Sequence, residues 1–243
     1  MAKNIAHRGF SGRYPENTML AFEKALEIGA EGIEFDVHLS KDGELVIIHD
    51  ELLDRTTNGS GLVAEHTLAQ LRQLDASASF TGVYGVNPIP TLEEYFQLIQ
   101  GKEMLTNIEL KTGVIWYPGI EEKTLEIIDR YGRRGDTLIS SFNHFSILRM
   151  KELAPDLRCG FLEESRIIGP AAYCTKHKVE CWHPLCYDMT EDVVRELKDA
   201  KVQINAWTVN RREDMEDMLR KGIDGVITNF PDLFAQVRAE FQG

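Results

Sequence analysis

The chain has 243 residues and a formal net charge of −12, with 43% hydrophobic and 27% charged residues. This globular mixture supplies enough apolar side chain for one sizeable core, and such a length suits a single barrel domain. The acidic balance excludes nucleic acid or an anionic membrane as a general partner, and the lack of any long apolar run excludes a secretory signal or membrane-spanning helix and predicts a cytoplasmic protein.

The first strand is predicted over residues 4–7. A helix over 17–28 follows Pro15-Glu16-Asn17-Thr18 and is ended by Gly29. A second strand covers 32–37, and Lys41-Asp42-Gly43-Glu44 turns the chain back into a short strand over 45–48, because Asp-Gly between apolar runs is a strong hairpin signal. Residues 50–88 break the rhythm; rich in Gly, Ser and Thr, with one short helix near 68–74, they are predicted to be a lid-like insertion. A third barrel strand covers 105–111. Strands then recur at 137–142, 158–162, 179–183, 203–209 and 225–228, separated by helices at 147–153, 170–177, 191–200, 212–221 and, last, 232–241. Such alternation is the mark of parallel βαβ units. The predicted fold is α/β, one (β/α)8 TIM-barrel domain over residues 1–243 with the small insertion after the second strand's hairpin.

In such a barrel the chemistry lies at the carboxyl ends of the strands. There the sequence has His7-Arg8-Gly9, Glu34-Phe35-Asp36, His49-Asp50 and Glu109-Leu110-Lys111. Side chains alternate along a strand, so Glu34 and Asp36 share the inner face, with Ile33, Phe35 and Val37 on the outer one. Glu109 and Lys111 repeat the pattern. A two-residue Asp42-Gly43 turn would pair Lys41 with Glu44 and bring His49 opposite Asp36. Three converging carboxylates repel one another, and a hard divalent cation such as Mg2+ or Ca2+ relieves this better than zinc does. Two histidines beside such a cluster suit acid and base work near neutral pH, and Arg8 and Lys111 suit an anionic substrate. Singly each motif has a bland reading as a salt-bridged or hydrogen-bonded residue; their coincidence at one end of adjacent strands favours function. Phe142 and Trp207 face the same mouth as candidate pocket walls, core packing being the alternative for both. His38 is expected past its strand end and solvated, Asp50 to anchor the insertion, and His66, His144, His177 and His183 to be structural. Cys159, Cys174, Cys181 and Cys186 form no C-x-x-C pair and are expected to be reduced thiols.

These blocks resemble the glycerophosphodiester phosphodiesterase family, in its bacterial cytosolic form. The resemblance is carried in order by His7-Arg8-Gly9 with Pro15-Glu16-Asn17-Thr18, Glu34-Phe35-Asp36-Val37 with Lys41-Asp42-Gly43, His49-Asp50 with Leu53-Asp54-Arg55-Thr56-Thr57-Asn58-Gly59, Ile89-Pro90-Thr91-Leu92-Glu93-Glu94, and Asn107-Ile108-Glu109-Leu110-Lys111. It implies a divalent metal held by Glu34, Asp36 and Glu109, His7 and His49 as acid and base, and Arg8 and Lys111 on the phosphate. It further implies hydrolysis of glycerophosphodiesters, small-molecule substrates of lipid and glycerol metabolism, to glycerol 3-phosphate and an alcohol through a cyclic phosphate. One departure is Thr228-Asn229-Phe230-Pro231, where many members have Asp in place of Asn229; this touches no expected metal ligand but alters the pocket rim. Two other readings stand beside it. A phospholipase D-like activity on lysophospholipids needs an apolar route for an acyl chain, and the absence of a long exposed apolar loop in the sequence disfavours it. A non-catalytic receptor for phosphorylated glycerol needs cations but no proton-transfer pair.

Overall fold

The structure, a computed structural model, describes residues 1–80 and 82–242; residues 81 and 243, which fall within the predicted domain, lie outside the described residues. In chain order the elements are β1 (Lys3–His7), α1 (Met19–Glu27), β2 (Gly32–Leu39), β3 (Leu45–Ile47), α2 (Leu68–Leu71), α3 (Leu92–Leu98), β4 (Leu105–Leu110), α4 (Ile120–Arg130), β5 (Thr137–Ser141), α5 (His144–Leu153), β6 (Arg158–Glu163), α6 (Pro170–His177), β7 (Cys181–Pro184), α7 (Glu191–Asp199), β8 (Gln203–Ala206), α8 (Arg212–Lys221), β9 (Gly225–Thr228) and α9 (Pro231–Gln242). The strands run β1-β9-β8-β7-β6-β5-β4-β2, and a β1–β2 pairing closes the ring. Every pairing in the ring is parallel, and β3 hangs antiparallel on β2 outside it. This is a (β/α)8 TIM barrel.

Strand alternation sorts the side chains. The outward set, Ile33, Phe35, Val37, Ile108, Leu110, Ile139 and Phe161 among them, belongs to the large core under the helices. The inward set is layered. Ile5, Leu105, Leu138, Cys181 and Ile227 form an apolar plug with Trp207 packed against it. His183 and Asn205 are buried and joined by a 3.1 Å hydrogen bond. A side chain at Gly160 would meet the His183 ring at 2.5 Å, so glycine makes room for it. The apolar plug closes the barrel below and leaves charge to the upper end.

The hairpin differs from expectation. Register pairs Leu39 with Leu45 and Val37 with Ile47, and Ser40 N–H donates to the Glu44 carbonyl at 2.9 Å. The turn therefore holds three residues, Lys41, Asp42 and Gly43, with Gly43 in the left-handed region at φ +80°. The Ser40 hydroxyl favours it by donating to Asp42 at 2.7 Å and accepting the Glu44 N–H at 2.9 Å. Ile48, not His49, backs onto Asp36, whose carbonyl accepts its N–H at 3.1 Å. Strand β2 also runs two residues past its expected end and takes in His38, which is buried within the strand and not solvated.

Smaller differences have local causes. Helix α1 begins at Met19 because Thr18 caps it, accepting the Ala21 N–H, while Asn17 stands outside at φ 57°. Helix α2 is one turn long and ends at Leu71. Strand β8 stops at Ala206, beyond which Trp207 makes only an isolated bridge to Leu185. Helices α3 and α4 lie outside the predicted elements: the first is seven residues long behind a Thr91/Glu94 capping box, and the second starts at Ile120, after Gly119, with no side-chain cap to announce it. Between β3 and β4, Leu53, Val63, Leu71, Ala76 and Ile89 join Val46 and Ile48 in a separate apolar cluster. No helix among the described residues is long and apolar enough to cross a membrane.

Candidate active site

At the carboxyl end of the barrel, Glu34 and Asp36 rise from β2 and Glu109 from β4, with Asp36 in register with Glu109. One oxygen from each lies within 4.8 Å of the others, and all three residues are buried. Burial, then the charges of Asp36 and Glu109, push Glu34 well above the usual carboxylate range. Burial and Asp36 push Glu109 up to about 7. Burial acts in the same direction on Asp36, but Arg8, His49, Lys111 and the Asn17 hydrogen bond outweigh it and hold Asp36 ionised. Asp36 Oδ1 is buried with no hydrogen-bond donor. Three desolvated acids that cannot all stay ionised, one with an oxygen lacking a donor, form the donor set that a hard divalent cation satisfies.

Two imidazoles flank them. His7, at the end of β1, has Nδ1 at 2.6 Å from Asn229 Oδ1, and its Nε2 is 3.8 Å from Glu34. An amide oxygen only accepts, so Nδ1 carries the proton and Nε2 the lone pair. Burial, then the Arg8 charge, lower His7 to about 3, so its ring is neutral. His49 has Nδ1 at 2.5 Å from Asp50 and Nε2 at 3.3 Å from Lys111 Nζ. Arg55 hydrogen bonds hold Asp50 below the carboxylate range. One histidine thus leans on a neutral amide and the other on a carboxylate.

The cations are placed by their own partners. Arg8 sits at φ 54°, its N–H donating to Glu34 at 3.1 Å and its guanidinium to Glu16 at 2.9 Å. Arg55 clasps both Glu16, at 2.8 Å, and Asp50, at 2.6 Å, so ion pairs run unbroken from Arg8 to Asp50, the hydrogen-bond partner of His49. Lys111 Nζ is 3.0 Å from Glu109 and 3.8 Å from Asp36.

His7, Arg8, Glu34, His49, Glu109, Lys111, Phe142 and Trp207 all line one cavity of about 220 Å3, with Asn107, Ser140, Leu162, Glu164 and Ile227. Phe142 and Trp207 meet edge to face at 5.3 Å. Asp36 stands just behind the lining. A larger hollow of about 490 Å3 opens at the other end of the barrel, but its lining brings together no acid pair and no histidine, so chemistry rather than volume selects the site.

Several contributors escaped the sequence reading. Asn17 donates to Asp36 at 2.9 Å, and Asn229 orients His7. Asp50 binds His49 itself, beyond any anchoring of the insertion, and its place next to His49 in sequence was the available signal. The sequence also hid an apolar rim: Val114, Trp116, Phe142, Phe145, Ile167, Ile168 and Tyr187, on the segments that follow β4 to β7, are all exposed. They stand singly or in short runs, Val114-Ile115-Trp116-Tyr117 and Ile167-Ile168, so no long apolar run betrays them. The other histidines make structural contacts: His66 to the Leu62 carbonyl, His144 to Tyr173 and the Leu162 carbonyl, and His177 edge-on to Tyr173. All four cysteines are buried and unpaired.

The model of the glycerophosphoryl diester phosphodiesterase family matches residues 7–233. The chain is 45% identical over 228 residues, 94% of each chain, to a glycerophosphodiester phosphodiesterase of Caldanaerobacter subterraneus. It is 43% identical over 245 residues, 100% of each chain, to one of Bacillus altitudinis. Among solved structures it is similar, at TM-score 0.89 and 32% identity over 97% of this chain and 96% of the other, to a phosphodiesterase of Oleispira antarctica in complex with the product sn-glycerol-3-phosphate.

Proposed function

This chain belongs to the glycerophosphoryl diester phosphodiesterase family, and on that premise we propose that it hydrolyses small glycerophosphodiesters to glycerol 3-phosphate and an alcohol. The observation that carries this reading is the grouping of three buried carboxylates within 4.8 Å of one another, with two differently partnered histidines on the same cavity. Glu34, Asp36 and Glu109 hold a divalent cation, Mg2+ or Ca2+, which when bound supplies positive charge against the phosphate. Arg8 and Lys111 bind phosphate oxygens and offset the charge of the transition state. One imidazole takes the proton of the attacking glycerol hydroxyl as its oxygen bonds to phosphorus. The other gives a proton to the departing alcohol as the second P–O bond breaks. Water then opens the cyclic phosphate with the two roles exchanged. Phe142 and Trp207 wall the channel for the alcohol.

Residues 50–88 act within the single barrel domain as a subdomain that brings Arg55 against Asp50 and Glu16. Four unpaired cysteines fit a reducing cytoplasm. The test is glycerol 3-phosphate release across a panel of diesters, with and without chelator; release from none of them overturns the reading. The exposed apolar rim favours a second reading, cleavage of lysophospholipids at the same site. Faster turnover of lysophosphatidylcholine than of glycerophosphocholine would select it.

A further inference from the structure

The segment that delivers His49 is held by β2 on one side and, through the Ile47 N–H to the Pro90 carbonyl at 2.8 Å, on the other, but both supports stop short of that residue. Strand β3 ends at Ile47, the Ile48 N–H makes the last bond to β2, and His49 projects beyond. There His38 Nε2 lies 3.0 Å from the His49 carbonyl, and its Nδ1 lies 3.0 Å from the Tyr117 hydroxyl. A carbonyl only accepts, so Nε2 carries the proton and Nδ1 accepts from Tyr117. Both ring nitrogens are then satisfied in one tautomer. His38 is fully buried, Tyr117 nearly so, and their rings meet edge to face at 5.6 Å. Neither lines the catalytic cavity. Filling the space alone would be simpler with an apolar side chain, since a buried imidazole costs desolvation unless both nitrogens are bonded. Lys123 clasps the same hairpin through the Gly43 carbonyl and, at 3.2 Å, Glu44.

We infer that His38 and Tyr117 are a positioning pair for this reaction, fixing the height of His49 over the metal-binding acids through its main-chain carbonyl. The inference rests on the proposed role of His49. With the carbonyl released, the imidazole loses its fixed reach, and displacements of about 1 Å cost up to roughly a hundredfold in rate.

The experiment is a double-mutant cycle on the full chain, with kcat and KM corrected for folded fraction by circular dichroism. His38→Leu is expected to lower kcat about tenfold or more with KM little changed. His38→Gln, whose amide can still donate to the His49 carbonyl, is expected to recover most of that loss. In a His49→Ala background, His38→Leu should cost nothing further, because its effect passes through the missing ring. Should His38→Leu fold poorly, Tyr117→Phe carries the same test with a smaller loss, again vanishing without His49. Multiplying losses, or His38→Gln as impaired as His38→Leu, overturn the positioning role while leaving the phosphodiesterase reading intact. Full turnover by His49→Ala removes His49 from the mechanism and the positioning role with it, whereas only a parent protein that releases no glycerol 3-phosphate from any diester overturns the phosphodiesterase reading.

Discussion

Strands β1, β2 and β4 with the hairpin present His7, Arg8, Glu34, His49, Glu109 and Lys111 to the cavity, whereas β5 to β9 and their loops present Phe142, Leu162, Trp207 and Ile227, with Glu164 as the one charge. The contrast has a physical cause. Charges taken out of water are tolerated only beside opposite charges, so the buried acids of the early half stand beside Arg8 and Lys111, and the run from Arg8 through Glu16, Arg55 and Asp50 carries the pairing out towards the surface. The late half has no such demand and, Ser140 and Glu164 apart, lines the cavity with apolar and aromatic groups. On the proposed reading, bond breaking falls to one half and accommodation of the departing alcohol to the other.

Metal removal tests the early half most severely. Chelator is expected to abolish glycerol 3-phosphate release, and added Mg2+ or Ca2+ to restore it; full activity in metal-free enzyme would remove Glu34, Asp36 and Glu109 as ligands. Next in size, His7→Ala and His49→Ala should each lower kcat by roughly 10²–10⁴-fold, the usual weight of a general acid or base. Normal turnover by either variant strikes that residue from the mechanism. Trp207→Ala and Phe142→Ala should instead raise KM about 2–10-fold while kcat stays near the parent value, in keeping with the modest worth of an aromatic contact. A fall in kcat as deep as the histidine variants' would erase the distinction between the halves.

The smallest effect concerns stability. Burial and Asp36 raise Glu109 from the ordinary 4.5 to about 7 in the folded, metal-free protein. A raised folded value means that the native state holds its proton more tightly than the unfolded chain does. Its contribution is therefore fully present below 4.5 and lost as pH rises through about 7. Melting temperature of the metal-free protein should fall across that window, and the rise produced by saturating metal should grow across it. A metal-induced shift that is flat with pH would contradict the crowding of the acids.

Legibility followed the same divide. In the late half the periods of helix and strand speak plainly, and α6, α8 and β9 have the expected bounds. In the early half the inward parity of Glu34, Asp36 and Glu109 was readable because it needs only a two-residue period. The partners were not: His7 meets Asn229 across 222 positions of sequence, and Asn17 reaches Asp36 across 19, contacts that exist only once the ring closes. His38 was misread because β2, paired with β3 through Leu39, runs two residues past its expected end at Val37.

The three-residue turn at Lys41, Asp42 and Gly43 has a practical corollary for anyone building chimeras from these barrels. A grafted hairpin one residue shorter could retain every signature residue and still shift the point where the chain leaves β2, because successive side chains point to opposite faces. Segment length is thus as much a part of this active site's specification as any of its side chains.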